Sequence, residues 1–329
     1  MTSSLALSSC HQEALDLLTG ARRVLLTGHQ RPDGDCIGAQ AALSRILEAR
    51  GQMVTILNPD PPEAQYGYLS EHVDYGSDDG GEIPEHDLLV LLDCSEISRT
   101  GQLAERFSAA PSKKLVIDHH VLPSEPWWDA AFVDTSAAAT GLLVRRIAKS
   151  LGLALDAVAA RGVFTSLVTD TGWFKYSNTD AESFEAAAEV VASGVDASEL
   201  YSAIYQQRPQ QHPAQVATAL ARHAFHMDGR LAVVDLPLES NGQGPASDTD
   251  DVLDLLRSVS SVEVVLCLRE ISPGLCKLSA RSKTSYNVNA LARRFGGGGH
   301  IKASGATIEG SLVEVRERLI AAAVEGFAQ

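Results

Sequence analysis

Apolar runs that end in chemically capable residues recur along the first half of this 329-residue chain. Leu115, Val116 and Ile117 read as a buried strand that opens directly into Asp118, His119 and His120. Residues 24–28 read as a strand that delivers His29, and 53–57 as another. Residues 88–92 are apolar on both faces, as a central parallel strand should be, and end in Asp93. Helical spacing covers 11–20, 99–107, 136–151 (with Ser136 as N-cap), 156–169, 180–193 and 197–206, and runs from 37 to 50, where Gly51 stops it. Asp170 follows the 156–169 helix. Pro32 and Gly34 make 30–38 a loop, residues 58–62 are Pro-rich, and the acid- and glycine-rich 74–87 reads as solvated loop. This alternation predicts an α/β domain with a mainly parallel sheet, whose chemistry sits at the C-terminal ends of its strands.

The second half has another texture. Strands are expected at 231–235, 262–268 and 275–279, with a polar loop at 240–250 and a helix at 288–295 before Gly296–Gly299 and His300. Pro209 and Pro213 mark a boundary. The expected plan is a domain over 1–195, a linker over 196–213, and a smaller mixed α/β domain over 214–329, a chain long enough to bury a large core.

A net charge of −15 argues against a general nucleic-acid coat and fits a cytoplasmic protein. The five cysteines are odd in number and include no C-x-x-C pair, which fits a reducing compartment. Cys36 and Cys94, each beside a motif aspartate, read as small buried hydrophobes. No apolar run approaches the ~18 residues of a membrane span. The segment through Cys10 mimics a lipoprotein cleavage site without its basic and apolar regions, and reads as a frayed tail.

His29, Asp33, Asp35, Asp93, Asp118, His119, His120 and Asp170 form the candidate set. Singly, each aspartate reads as a cap or turn residue. Gathered in one crevice, five carboxylates would repel one another unless cations were present. Carboxylate and imidazole donors suit Mn²⁺ better than a sulfur-rich zinc site would. About six ligands imply two ions roughly 3.5–4 Å apart with one bridging carboxylate, an arrangement suited to phosphoester hydrolysis. A histidine outside the metal shell would protonate the leaving oxygen.

Between Arg269 and Lys302 lie seven basic residues (Arg269, Lys277, Arg281, Lys283, Arg293, Arg294, Lys302) against one acid, Glu270. This reversal of the overall charge reads as an anion-binding face or as a solvated one. The glycines before His300 read as a linker or as a backbone that an anion approaches closely. Trp127 and Trp128 read as a base-stacking surface or as a lid over the core.

His29-x-x-x-Asp33-Gly34-Asp35, then Asp93, Asp118-His119-His120 and Asp170-Thr171-Gly172, resemble the motifs of the DHH phosphoesterase superfamily. Ser279–Ser282, Asn287, Asn289 and Gly296–His300 are similar to its DHH-associated C-terminal domain, so the resemblance covers nearly the whole chain. Length and plan look most like the oligoribonuclease (nanoRNase) subgroup that also removes phosphate from 3′-phosphoadenosine 5′-phosphate. The resemblance implies one Mn²⁺ held by His29, Asp33 and Asp93, and a second held by Asp35, Asp93, His119 and Asp170, with Mg²⁺ or Co²⁺ as substitutes. It implies catalytic roles for His120, facing substrate, and Asp118, orienting the histidines. Arg281, Asn289, Gly298 and His300 would hold the substrate's terminal phosphate and nucleotide. The active site would lie in the cleft between the domains, hinge closure is expected, and the enzyme would be a homodimer acting on short RNA or adenine nucleotides, with no membrane partner. Ala39 and Cys36 depart from the usual Ser and Ala; neither is expected to be a ligand. The rival readings are a cyclic-di-AMP phosphodiesterase, a Mn²⁺-dependent inorganic pyrophosphatase and a nucleotide sensor without turnover.

Overall fold

The computed structural model describes residues 9–238 and 249–327. The expected N-terminal tail and most of the expected 240–250 loop lie outside the described residues. The chain divides into two compact units, 1–207 and 208–329. The stretch 196–213, expected as linker, holds one helix and the start of the next.

In the first unit, α1 (Ser9–Gly20) precedes β1 (Arg23–Thr27), α2 (Gly34–Glu48), β2 (Met53–Asn58), α3 (Gly67–Ser70), β3 (Tyr75–Ser77) and β4 (Leu88–Leu92). Then come α4 (Leu103–Ala109), β5 (Lys113–Asp118), β6 (Ala130–Val133), α5 (Thr140–Ser150), α6 (Ala157–Asp170), α7 (Ala181–Ala192) and α8 (Ala197–Tyr205). The six strands form one sheet in the order β3-β2-β1-β4-β5-β6. Every pairing is parallel. The order reverses between β1 and β4, and such switch points open a crevice beyond the strands' carboxyl ends. β4 is buried along its whole length, as its two-sided apolar run requires.

α2 is a buried helix, not an amphipathic one, and it crosses α6 at glycine contact distance. A methyl group on Gly38 would sit 2.4 Å from the Gly162 carbonyl oxygen, and one on Gly162 would sit 2.5 Å from that of Gly38. Asn58 on β2 and Gln40 on α2 exchange two buried amide hydrogen bonds, at 2.8 and 2.9 Å, which pin the helix against the sheet.

Four expectations need correction. The loop expected over 30–38 ends at Asp33, whose side chain caps α2 from Gly34 onward. The 74–87 segment contains the short edge strand β3; three residues including Gly76 leave no apolar run to read. β6 was not foreseen. The helix expected from Ser136 begins at Thr140: Ser136 donates from its N–H and its hydroxyl to Asp134 (2.9 and 2.6 Å) in a local turn. Ala139, at the N-cap, supplies no side-chain bond, because the first helical N–H groups are capped from another element.

In the second unit, α9 (His212–Leu220), β7 (His223–His226), β8 (Leu231–Leu236), α10 (Asp250–Ser258), β9 (Val264–Ser272) and β10 (Leu275–Ser282) lead to α11 (Val288–Arg293), β11 (Gly298–Gly299), β12 (Ala303–Glu309) and α12 (Leu312–Gly326). The sheet runs β11-β12-β10-β9-β8-β7. Only β8 and β9 pair in parallel, so this sheet is mixed. Alternation along β10 sends Cys276, Leu278 and Ala280 into a core with α11 and α12, and leaves Lys277, Ser279 and Arg281 on the opposite face.

Candidate metal centre

Three adjacent strand ends and two helix ends deliver the candidate donors. β1 passes through Gly28 to His29; a methyl group on Gly28 would fall 2.0 Å from the Cys36 sulfur, so only glycine fits there. β4 ends in Asp93, whose φ of +60° is left-handed. Its N–H still donates to the Ile117 carbonyl at 3.0 Å, so the ladder continues while the side chain is re-aimed. β5 ends in Asp118 and hands on His119 and His120. Asp33 caps α2, its Oδ1 accepting from the N–H groups of Asp35 and Cys36, and places Asp35 in the first turn. Asp170 closes α6.

These side chains meet. His29 Nε2 lies 3.5 Å from Asp93 Oδ2 and 3.9 Å from Asp33 Oδ1. His119 Nε2 lies 3.4 Å from Asp35 Oδ2, 3.6 Å from Asp93 Oδ1 and 3.6 Å from Asp170 Oδ2. Two ligands about 2.1 Å from one cation stand about 3.0–3.4 Å apart at octahedral to tetrahedral angles, close to these separations. Among the described residues, three groupings bring their donor atoms within 4.8 Å of one another: His29, Asp33 and Asp93; Asp35, His119 and Asp170; Asp93, His119 and His120.

The donor set fits divalent cations. His29 and His119 each direct Nδ1 at a backbone carbonyl, of Gln30 (2.9 Å) and Ala137 (3.0 Å), so Nδ1 carries the proton and Nε2 keeps its lone pair for a metal. The oxygen and imidazole donors suit Mn²⁺, Mg²⁺ or Co²⁺. Burial first, and then the neighbouring Asp35, push the Asp93 carboxyl well above the usual carboxylate range. The same two causes push Asp170 up to about 8. Burial pulls His119 down, but the carboxylates of Asp35 and Asp170 outweigh it and hold its pKa above the ordinary value. A bound cation would replace these retained protons as the countercharge.

Asp118 is fully buried, and Nδ1 of His120 donates to its Oδ1 at 2.8 Å. Burial raises the Asp118 pKa, but the bonds and charge of His120 prevail and lower it, so the carboxylate stays ionised. Trp127 packs with Leu91, Cys94 and Val116 and donates Nε1–H to the Ser95 carbonyl at 2.7 Å, which favours the lid over the stacking surface. Cys36 and Cys94 are buried, and burial raises both thiols, Cys94 to about 12, as expected of inert packing residues.

The expectations missed three supporting residues. Thr140 N–H donates to Asp35 Oδ2 (2.9 Å), and Thr140 Oγ1 donates to Asp93 Oδ1 (3.0 Å). Ser166 Oγ donates to Asp35 Oδ1 (2.5 Å) and accepts from the N–H of Gly141 (2.7 Å). The start of α5 thus caps itself on Asp35. The one available signal was Thr140-Gly141 beginning an apolar helical run.

In the second unit, Arg281 Nη2 donates to Asp250 at 3.0 Å. Asn289 Oδ1 is buried and accepts no hydrogen bond among the described residues. His300 is exposed at the end of the glycine run. Gly297 and Gly299 have structural reasons, since methyl groups there would strike the Gly305 and Ala303 carbonyl oxygens at 2.1 and 2.6 Å. Gly298 has none: among the described residues nothing lies within 4 Å of where its methyl would be.

Residues 23–195 match the DHH family, N-terminal domain, and residues 230–329 match the DHHA1 domain. The "Bifunctional oligoribonuclease and PAP phosphatase NrnA" of Thermus thermophilus is 34% identical over 92% of this chain and 89% of its own length. An exopolyphosphatase-related protein from Bacteroides fragilis has the same fold, with a TM-score of 0.88 at 24% identity over 98% of each chain. RecJ of Thermus thermophilus, solved with Mn²⁺, matches at a TM-score of 0.57 and 17% identity over 99% of this chain and 56% of its own.

Proposed function

Because the chain belongs to the DHH family of phosphoester hydrolases, we propose that it hydrolyses short oligoribonucleotides and 3′-phosphoadenosine 5′-phosphate to nucleoside monophosphate with two divalent ions, preferably Mn²⁺. The observation that carries this reading is the division of Asp93 between two histidines. Oδ2 faces His29 and Oδ1 faces His119, at 3.5 and 3.6 Å, as a bridging carboxylate would. His29, Asp33 and Asp93 would hold one ion, and Asp35, Asp93, His119 and Asp170 the other.

When bound, the ions lower the pKa of water and neutralise the phosphate oxygens. The chain's own residues do the rest. His120, with Nδ1 committed to Asp118, offers Nε2 to protonate the leaving oxygen. Asp118 fixes the orientation of the ring through that hydrogen bond. Arg281 and His300, with the open backbone at Gly298 and the unmatched Asn289 Oδ1, would hold the terminal phosphate and nucleotide. Among the described residues no helix is long and apolar enough to cross a membrane.

The test is a chelator-stripped assay with Mn²⁺ restored. Linear di-adenylate, 3′-phosphoadenosine 5′-phosphate, cyclic-di-AMP, a short RNA and pyrophosphate are offered in parallel. AMP release from the short nucleotides, abolished in Asp93→Asn and reduced roughly 10²–10⁴-fold in His120→Ala, is expected. Turnover of pyrophosphate alone would assign another substrate class, and binding without turnover would make the protein a sensor.

A further inference from the structure

We propose that Ser166 is a positioning residue, which fixes the Asp35 carboxylate so that one chosen oxygen faces the metal. The proposal rests on the reading of Asp35 as a metal ligand.

Ser166 is completely buried, on the face of α6 that crosses α2. A hydroxyl carries one hydrogen. Gly141 N–H already points into the Ser166 oxygen at 2.7 Å, so the hydroxyl hydrogen is directed to Asp35 Oδ1 at 2.5 Å. Oδ1 is thereby occupied from the protein side, with Gly141 N–H also 3.3 Å away. Oδ2, held by Thr140 N–H at 2.9 Å, is the oxygen presented to His119 Nε2 at 3.4 Å. The surroundings are sized for this serine: a methyl group on Gly141 would lie 2.2 Å from its hydroxyl oxygen, and one on Gly38 would lie 3.1 Å from its Cβ. Without the hydroxyl, Asp35 keeps the Thr140 bond and the longer Gly141 contact but loses the shortest restraint on its last torsion, which fixes which oxygen faces His119.

Mn²⁺ binding to the full-length protein is measured by the electron paramagnetic resonance of free Mn²⁺, for wild type, Ser166→Ala, Ser166→Cys and Asp35→Asn. Each variant is also melted without metal. Supports of this kind are worth about 10–100-fold in metal affinity. Ser166→Ala should therefore weaken one Mn²⁺ by about that factor while the other binds as in wild type. The Mn²⁺ concentration for half-maximal turnover should rise in parallel, with turnover recovering at saturating Mn²⁺. A purely structural serine would lower the metal-free melting temperature and leave Mn²⁺ affinity unmoved, which would overturn the proposal. Ser166→Cys, of similar size with a weaker donor, should fall between wild type and alanine, and carries the test if the alanine variant does not fold. If Asp35→Asn binds both ions normally, the ligand assignment fails and the proposal fails with it. Loss in Asp35→Asn without loss in either Ser166 variant overturns the proposal alone.

Discussion

Asp170 shows what the candidate donor residues cost the fold when no cation offsets their charge. Its carboxyl is held up to about 8 by burial and by Asp35, whereas an unfolded chain releases that proton near about 3.9. Between those values the folded protein binds more protons than the unfolded one, so stability falls as pH rises from about 4 to about 8 and then levels. Asp93 and His119 are also raised, so each contributes stability that is lost with rising pH, in the same direction. Asp118 is lowered and acts oppositely, through the acid range below the ordinary carboxylate value. The chelator-treated protein should therefore melt progressively lower from pH 5 to 8. Added Mn²⁺ should raise the melting temperature more at the upper end, and Asp170→Asn should flatten the slope. A profile without slope would refute this account. Most of these residues were legible in the sequence because each ends an apolar run, where burial and polarity change within one or two positions. Ser166 was not: a small polar residue within a buried helix carries no such contrast.

At the scale of elements, the separation of α2 and α6 sets the distance between Asp35 and Asp170. Gly38 and Gly162 bring the two backbones together, and neither position tolerates a side chain without helix movement. Gly162→Val should lower the melting temperature by several degrees or more, since overpacking costs roughly 1–3 kcal/mol. It should also weaken Mn²⁺ binding although no donor is changed. Gly152→Val, with open space around it, serves as the control, which bears only the strain of its φ of +68°. Helix interiors were readable from apolar spacing, whereas the start of α5 was not. Its capping group, Asp35, lies 105 residues away in sequence, while the nearer Ser136 offered a plausible local cap. The edge strands escaped for a related reason: β3 spans only three residues and pairs with a single neighbour, so sheet geometry defines it more than composition does.

For the whole molecule, the candidate metal donors all fall in the first unit and the expected phosphate-holding residues in the second. The two kinds of defect should therefore separate. Arg281→Ala or His300→Ala should raise KM for short nucleotides about tenfold or more, with Mn²⁺ affinity and metal-free melting unchanged, whereas a loss of metal binding would tie the basic face to the first unit's fold. The parallel α/β plan could be anticipated because strands and helices alternate with regular punctuation. The mixed sheet of the second unit was only half visible, since β7, β11 and β12 carry exposed or glycine-rich positions. The order of the donors along the chain also has a consequence in time. Synthesis proceeds from the N-terminus, so His29, Asp33 and Asp93 are all available before β5 exists, while the grouping of Asp35, His119 and Asp170 waits for the end of α6. The residues of the first candidate grouping are thus all synthesised before the β5 carbonyl that holds Asp93, whereas the second grouping is complete only with the last turn of α6.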